Sequence, residues 1–219
     1  MRLDLRLNAI VDPERSGGHG LVALSRAIAA GGATLIQLRD KQNETRMMVD
    51  EARAIKAALA SLGVPFVVND RVDVALAARA DGVHLGQEDM AVADARALLG
   101  PDAIIGLSIK NSAEAQSAPV ELIDYAGVGG VYATLSKVQE AAPLGPEGLA
   151  DVVRILRNRA PGLPIVGIAG IDAANAGAVI DAGADGVAVI SALSLVADPA
   201  AAARALRAAV DGVLVKRGP

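Results

Sequence analysis

Asn69-Asp70-Arg71 and Gln87-Glu88-Asp89 are the residues of this chain best placed to do chemistry together. Each group follows a short apolar run, Val67-Val68 and Gly82-Val83-His84, the pattern of a strand buried on both faces. Val72 to Ala80 between them reads as a short helix. A strand, a crossover helix and a second strand bring Asp70 and Asp89 to the same end of neighbouring parallel strands. Two carboxylates placed there suit a magnesium ion, which keeps waters and takes phosphate oxygens as its remaining ligands.

The elements that must position these residues recur along the whole chain. Strands are expected at Leu5–Val11, Thr34–Leu38, Pro65–Val68, Gly82–His84, Ala103–Leu107, Leu122–Gly127, Pro164–Ile168 and Gly186–Ile190. Helices are expected near His19–Ala30, Glu44–Leu62, Val72–Ala78, Val92–Leu99, Ser112–Ala118, Pro146–Arg159, Ala173–Ala182 and Pro199–Val215. Gly31, Gly63, Gly100 and Gly183 follow four of these helices, as helix C-caps do. Strands alternating with helices pair in parallel, and eight such units close into a single (β/α)8 TIM barrel. An open doubly wound sheet is the competing arrangement. Gly-Ala-Asp-Gly-Val-Ala-Val-Ile at 183–190 echoes Arg-Ala-Asp-Gly-Val-His-Leu-Gly at 79–86, four units away, as two half-barrels would. No composition shift or linker interrupts the series, so residues 1–219 are expected to form one domain.

Functional side chains of such a barrel sit at the C-terminal ends of strands, and stability features sit at the opposite face. Asp81 and Asp185 precede their strands and therefore belong to the floor. The mouth receives Gln37, Arg39 and Lys41, then Asn69 and Asp70, then Gln87, Glu88 and Asp89. Ser108 and Lys110 follow strand five, Thr134, Ser136 and Lys137 follow strand six, Ala169-Gly170 strand seven and Ser191 strand eight. Alternation turns Gln37, Arg39 and Lys41 to one side, a wall suited to anionic oxygens; a solvated charged loop is the plainer reading. The stretch from Gly129-Gly130 through Lys137 to Gly145 is long enough to close over a substrate. Asp172 should cap a helix after strand seven, and Ser191 can start a short extra helix after strand eight. Loops of this form make the common barrel phosphate site, although small residues also serve close packing.

Composition narrows the function classes. Apolar residues make up 53% of the chain, yet there are only two Tyr, one Phe and no Trp, so aliphatic side chains must fill the core. A formal net charge of −4 gives no electrostatic reason to expect a nucleic-acid partner. The absence of cysteine excludes disulfides and thiolate metal sites. Mean hydropathy is positive, but each apolar run ends long before a membrane span is reached. Met1-Arg2-Leu3-Asp4 does not open an apolar signal stretch, so a cytoplasmic chain with small-molecule partners is expected. Whether it forms a homo-oligomer is left open. Neither His19 nor His84 has a second histidine nearby for a zinc pair, and no nucleophile elbow supports a Ser–His–Asp hydrolase.

In their order and spacing these segments resemble the thiamine phosphate synthase family. The resemblance rests on Gln37-Leu38-Arg39-Asp40-Lys41, Asn69-Asp70-Arg71-Val72-Asp73, Gly82 to Asp89, Gly127-Val128-Gly129-Gly130, Ile168-Ala169-Gly170-Ile171 and Asp185 to Ser191. It implies a TIM-barrel transferase that joins 4-amino-2-methyl-5-hydroxymethylpyrimidine diphosphate to a thiazole monophosphate. Gln37, Leu38, Arg39, Asp40, Lys41, Asn69 and Ser108 match the pyrimidine-diphosphate contacts, with Lys137 on the diphosphate. Asp70 and Asp89 match the Mg²⁺ ligands, and Thr134, Ser136, Gly170, Ile190 and Ser191 match the thiazole-phosphate contacts. Arg39, Lys41 and Lys137 would then neutralise the departing diphosphate. The chain departs from the family at Ala169, where a glycine is common, and at Asn8, near a customary aromatic residue. Ser136 replaces a threonine, and Ile109-Lys110 stand where Thr-His is common. A thiazole tautomerase on the same barrel, or a non-catalytic phosphate-ligand sensor, are the other readings; neither needs the diphosphate-facing cations.

Overall fold

The barrel closes in chain order in the computed structural model, which describes residues 3–134 and 142–217. Its strands are β1 (Leu7–Val11), β2 (Leu35–Leu38), β3 (Phe66–Asn69), β4 (Gly82–Leu85), β5 (Ile104–Ile109), β6 (Tyr125–Gly129), β7 (Ile165–Ile168) and β8 (Gly186–Val189). Leu7, Asn8 and Ala9 pair with Val187, Ala188 and Val189, which joins β1 to β8 and rules out the open sheet. The helices are α1 (Leu21–Ala30), α2 (Thr45–Leu59), α3 (Val72–Ala78), α4 (Val92–Leu99), α5 (Ser112–Ser117), α6 (Gly145–Arg159), α7 (Ala176–Asp181), α8 (Ser191–Ser194) and α9 (Pro199–Arg217). No helix among the described residues is long and apolar enough to cross a membrane.

Both faces of the strands are covered, which is why their sequences run almost continuously apolar. Leu7, Ala9 and Val11 of β1 join the outer core against the helices, whereas Ile10 turns inward. The inner core comprises Leu5, Ile10, Leu35, Val67, Tyr125, Val166 and Ala188. Strand alternation puts the polar residues Asn8, Gln37, Asn69, His84 and Ser108 on that same inward face.

A repeated device holds the floor. The residue ahead of each even-numbered strand accepts an N–H from the odd-numbered strand before it. Thr34 takes that of Leu7 at 3.1 Å, Asp81 that of Phe66 at 2.7 Å, Asp124 that of Ile105 at 2.8 Å and Asp185 that of Ile165 at 2.8 Å. Each carboxylate also meets a cation from the preceding even-numbered helix: Lys56 of α2 at 2.5 Å, Arg96 of α4 at 2.7 Å and Arg157 of α6 at 2.5 Å. At the first pair α9 plays this part, with Arg207 donating to the Gly32 carbonyl and Asp211 bridging Arg207 and Arg6.

Differences from the expected boundaries have local causes. Strand six starts at Tyr125 rather than Leu122, because Asp124 is a floor residue and Ile123 packs in the outer core. Strand five runs on to Ile109, so Ser108 lies inside it rather than after it. Helix α7 starts at Ala176, because Asp172 accepts the N–H groups of Ala174 at 2.8 Å and Asn175 at 3.2 Å and closes a turn first. After α1 the left-handed position falls on Gly32 (φ 110°), not on Gly31.

Candidate active site

Asp70 and Asp89 meet at the ends of β3 and β4. Asp70 has a φ of 61°, held by donation from its N–H to the His84 carbonyl at 2.8 Å and by an Arg71 N–H bond to the Asn69 carbonyl at 2.7 Å. This left-handed turn is one that Asp tolerates better than most residues. Asp89 folds back so that one oxygen accepts the Gly86 N–H at 2.7 Å. Burial pushes the Asp70 carboxyl above its ordinary value, a side-chain hydrogen bond to Asp89 adds to this, and Lys41 pulls the other way. Lys41 is ion-paired to Asp70. Two half-buried carboxylates in contact favour a shared cation, and the Lys41 ammonium stands in that role. Among the described residues no third His, Cys, Asp or Glu joins them in a metal-binding group. The donor set therefore fits a hard cation that fills its remaining positions with water and ligand oxygens.

The segment after β2 divides its labour. Arg39 is ion-paired to Asp12, a fully buried carboxylate at the end of β1 that also accepts the Glu14 N–H at 2.9 Å. Asp40 is committed to its own loop, accepting the N–H groups of Gln42 and Asn43 at 3.0 Å and the Asn43 side chain at 2.8 Å. Leu38 packs in the outer core, which leaves only its backbone facing a ligand. Gln37 is buried inside the barrel.

Beneath the mouth lies a column of polar side chains that composition did not reveal. The Tyr125 hydroxyl lies 2.9 Å from His84 Nδ1, and His84 Nε2 lies 2.9 Å from Ser108 Oγ. Burial pushes the Tyr125 phenol far above its ordinary value, against hydrogen bonds from Asn8 and Gln37. Room for this column comes from glycine. A Cβ on Gly106 would fall 2.2 Å from Tyr125 Cζ and 2.5 Å from His84 Nδ1, and one on Gly127 would fall 3.0 Å from His84 Cε1. Asp12, Asn8 and Tyr125 are the residues that sequence reasoning missed or left without a role. The legible signals were a carboxylate directly after strand one and glycines inside two buried strands.

At the far side of the mouth the chain after β6 lies along the end of β7. Val131 and Tyr132 donate to the Ile168 and Ala169 carbonyls at 2.9 and 3.1 Å. A Cβ on Gly170 would sit 2.5 Å from the Ala133 carbonyl, so Gly170 and the segment leading to Thr134 are in close contact. Ala169 has a φ of 88°, a conformation that favours glycine. Ile190 packs against the inner core and precedes α8, whose first residue is Ser191. Ser136 and Lys137 lie outside the described residues. The structure thus brings Asp70, Asp89 and Lys41 together, with Arg39 on Asp12 nearby in the β1–β2 end of the ring and Thr134 and Gly170 on the β6–β7 side. A separate cavity of about 510 Å³ opens at the floor between α3 and β5, lined by Arg79, Asp81 and Asp102, away from these residues.

A closed barrel of this topology, with acids and cations gathered at its C-terminal lip, is a TIM-barrel enzyme. Residues 7–193 match the family described as thiamine monophosphate synthase. The chain is 49% identical over 218 residues to the thiamine-phosphate synthase of Agrobacterium fabrum, covering 100% of this chain and 99% of that one. It is 50% identical over 207 residues to the thiamine-phosphate synthase of Xanthobacter autotrophicus, covering 94% and 96%. A solved thiamine phosphate pyrophosphorylase from Pyrococcus furiosus superposes with a TM-score of 0.85 at 38% identity, covering 97% and 98% of the two chains. The chain belongs to the thiamine monophosphate synthase family.

Proposed function

We propose that this protein is a thiamine phosphate synthase in which the Asp70–Asp89 pair, Lys41 and Arg39 form the diphosphate end of the site. The observation that carries the residue assignment is the contact of two half-buried carboxylates with a lysine at the ends of β3 and β4. The substrates are 4-amino-2-methyl-5-hydroxymethylpyrimidine diphosphate and a thiazole monophosphate. The pyrimidine methylene loses its C–O bond to diphosphate and gains a C–N bond to the thiazole nitrogen.

Diphosphate departs only when its developing charge is neutralised, which Arg39, Lys41 and Lys137 are suited to do. Asp70 and Asp89 would hold Mg²⁺, which when bound supplies a further positive charge to the leaving group. The aminopyrimidine ring can carry positive charge on its methylene, so bond breaking runs ahead of bond making. The thiazole nitrogen already has a lone pair, and no general base is required. Gln37, Asn69 and Ser108 orient the pyrimidine, while Thr134, Ser136, Gly170, Ile190 and Ser191 hold the thiazole phosphate opposite. Catalysis is then mostly positioning and electrostatics, with water kept from a methylene it would otherwise convert to the alcohol.

Incubating purified protein with both substrates and Mg²⁺ tests this reading. Thiamine phosphate and diphosphate in equal amounts are the expected products. Isomerisation of a thiazole phosphate without coupling to the pyrimidine would reject it.

A further inference from the structure

Resting on the substrate reading above, we propose that His84 is a positioning residue. It carries its ring proton on Nε2, donates it to Ser108 Oγ, and so commits the Ser108 hydroxyl to donate toward the barrel mouth. The group it meets there is an acceptor, a ring nitrogen of the aminopyrimidine.

Proton counting along the buried column supports this. Tyr125 is fully buried and its phenol stays protonated, so it has one hydrogen to give and two lone pairs to fill. The geometric hydrogen bond of that oxygen among the described residues is to His84 Nδ1, while Asn8 and Gln37 act on it from the other side as donors would, lowering the phenol pKa. The phenol hydrogen therefore goes to the remaining neighbour, His84 Nδ1 at 2.9 Å. A neutral imidazole that accepts at Nδ1 carries its hydrogen on Nε2, and Ser108 Oγ lies 2.9 Å from that atom. Ser108 then receives on its inner side and donates on its outer side.

The column is also built rather than incidental, because Gly106 and Gly127 leave the space that Tyr125 and His84 fill. Ser108 is held from below by His84 and along its backbone by Gln87, whose side chain donates to the Ser108 carbonyl at 2.6 Å.

The test begins with ¹⁵N NMR of the ring nitrogens in the whole protein, where His19 and His84 are the two histidines to be told apart. His84 is expected to show a bare, acceptor-type Nδ1 and a protonated Nε2. Tyr125→Phe, a small change, is expected to bring the Nδ1-protonated form into view. A wild-type ring protonated on Nδ1 overturns the proposal, as does an unchanged ring spectrum in Tyr125→Phe. These readings stand whatever reaction the enzyme performs. For function, His84→Phe and Ser108→Ala are compared singly and together in single-turnover assays. Each single variant is expected to slow the reaction roughly ten-fold or more, with the thiazole-phosphate KM little changed. The double variant is expected to be no slower than Ser108→Ala alone. Multiplying effects would overturn the positioning role, because His84 would then act independently of Ser108.

Discussion

Gly106→Ala is the sharpest probe of how the barrel interior is built. The new methyl would lie 2.2 and 2.4 Å from Cζ and Cε1 of Tyr125 and 2.5 Å from Nδ1 of His84, each far inside van der Waals contact. Neither ring has an easy retreat. Tyr125 is fully buried, and a Cβ on Gly127 already falls 3.0 Å from His84 Cε1 on the other side. Overpacking of this kind costs about 1–3 kcal/mol. Parting His84 from the phenol strands a buried hydroxyl at a cost of about 1–3 kcal/mol more. Replacing glycine stiffens the unfolded chain and returns roughly 0.4–1 kcal/mol. The midpoints leave a net loss of about 3 kcal/mol. At roughly 2–4 °C per kcal/mol for a chain of this size, the melting temperature should fall by about 6–12 °C. Thermal unfolding by calorimetry, checked by urea titration, measures it. A fall below about 2 °C would refute the packing account. So would failure of Tyr125→Leu, which removes the blocking ring, to recover part of the loss in the double variant.

Ala169→Gly is expected to stabilise the protein by about 0.5–1 kcal/mol, since the left-handed φ costs an L-residue about 1–2 kcal/mol and glycine gives back roughly half that in the unfolded state. A lower urea midpoint would reject the strain. Asp70→Asn and Asp89→Asn should each weaken Mg²⁺–diphosphate binding by on the order of 10- to 100-fold while sparing thiazole-phosphate binding. Equal binding by titration calorimetry in wild type and both variants rejects the metal assignment. Lys137→Ala should slow the chemical step by on the order of 10²- to 10³-fold, and an unchanged single-turnover rate rejects its role.

Much of the architecture was readable because a buried parallel strand writes itself as a short apolar run ending in polar residues. Helices Val72–Ala78 and Val92–Leu99 fall where their patterns put them. Asp81 and Asp185 read correctly as floor residues because each directly precedes an apolar run. Asp124 holds the same position and was hidden by Leu122-Ile123, an apolar pair that imitates a strand start but packs outside the sheet. The Asp70–Asp89 contact was legible from the β3–α3–β4 order alone. Its pairing with Lys41 was not, since a link between chain segments that distant depends on how the barrel closes. Tyr125 and His84 escaped for a different reason. In strands buried on both faces the near-continuous apolar run does not mark which side is the interior, and the glycines opposite betray the space these rings take.

The floor contacts also bear on the order in which the chain can assemble. Asp81 and Asp124 each take their cation from a helix that precedes them in the sequence, and Asp185 takes one of its two, Arg157, in the same way, the other being Arg217 of α9. Those three joints can form as the polypeptide leaves the ribosome. The joint beneath β1 and β2 instead depends on Arg207 and Asp211 of the last helix. The earliest strands to be synthesised are thus the last to be secured from below, and β1 waits with an open edge until β8 emerges. Slow closure across almost the whole sequence is the kinetic burden that a ring carries and an open sheet does not.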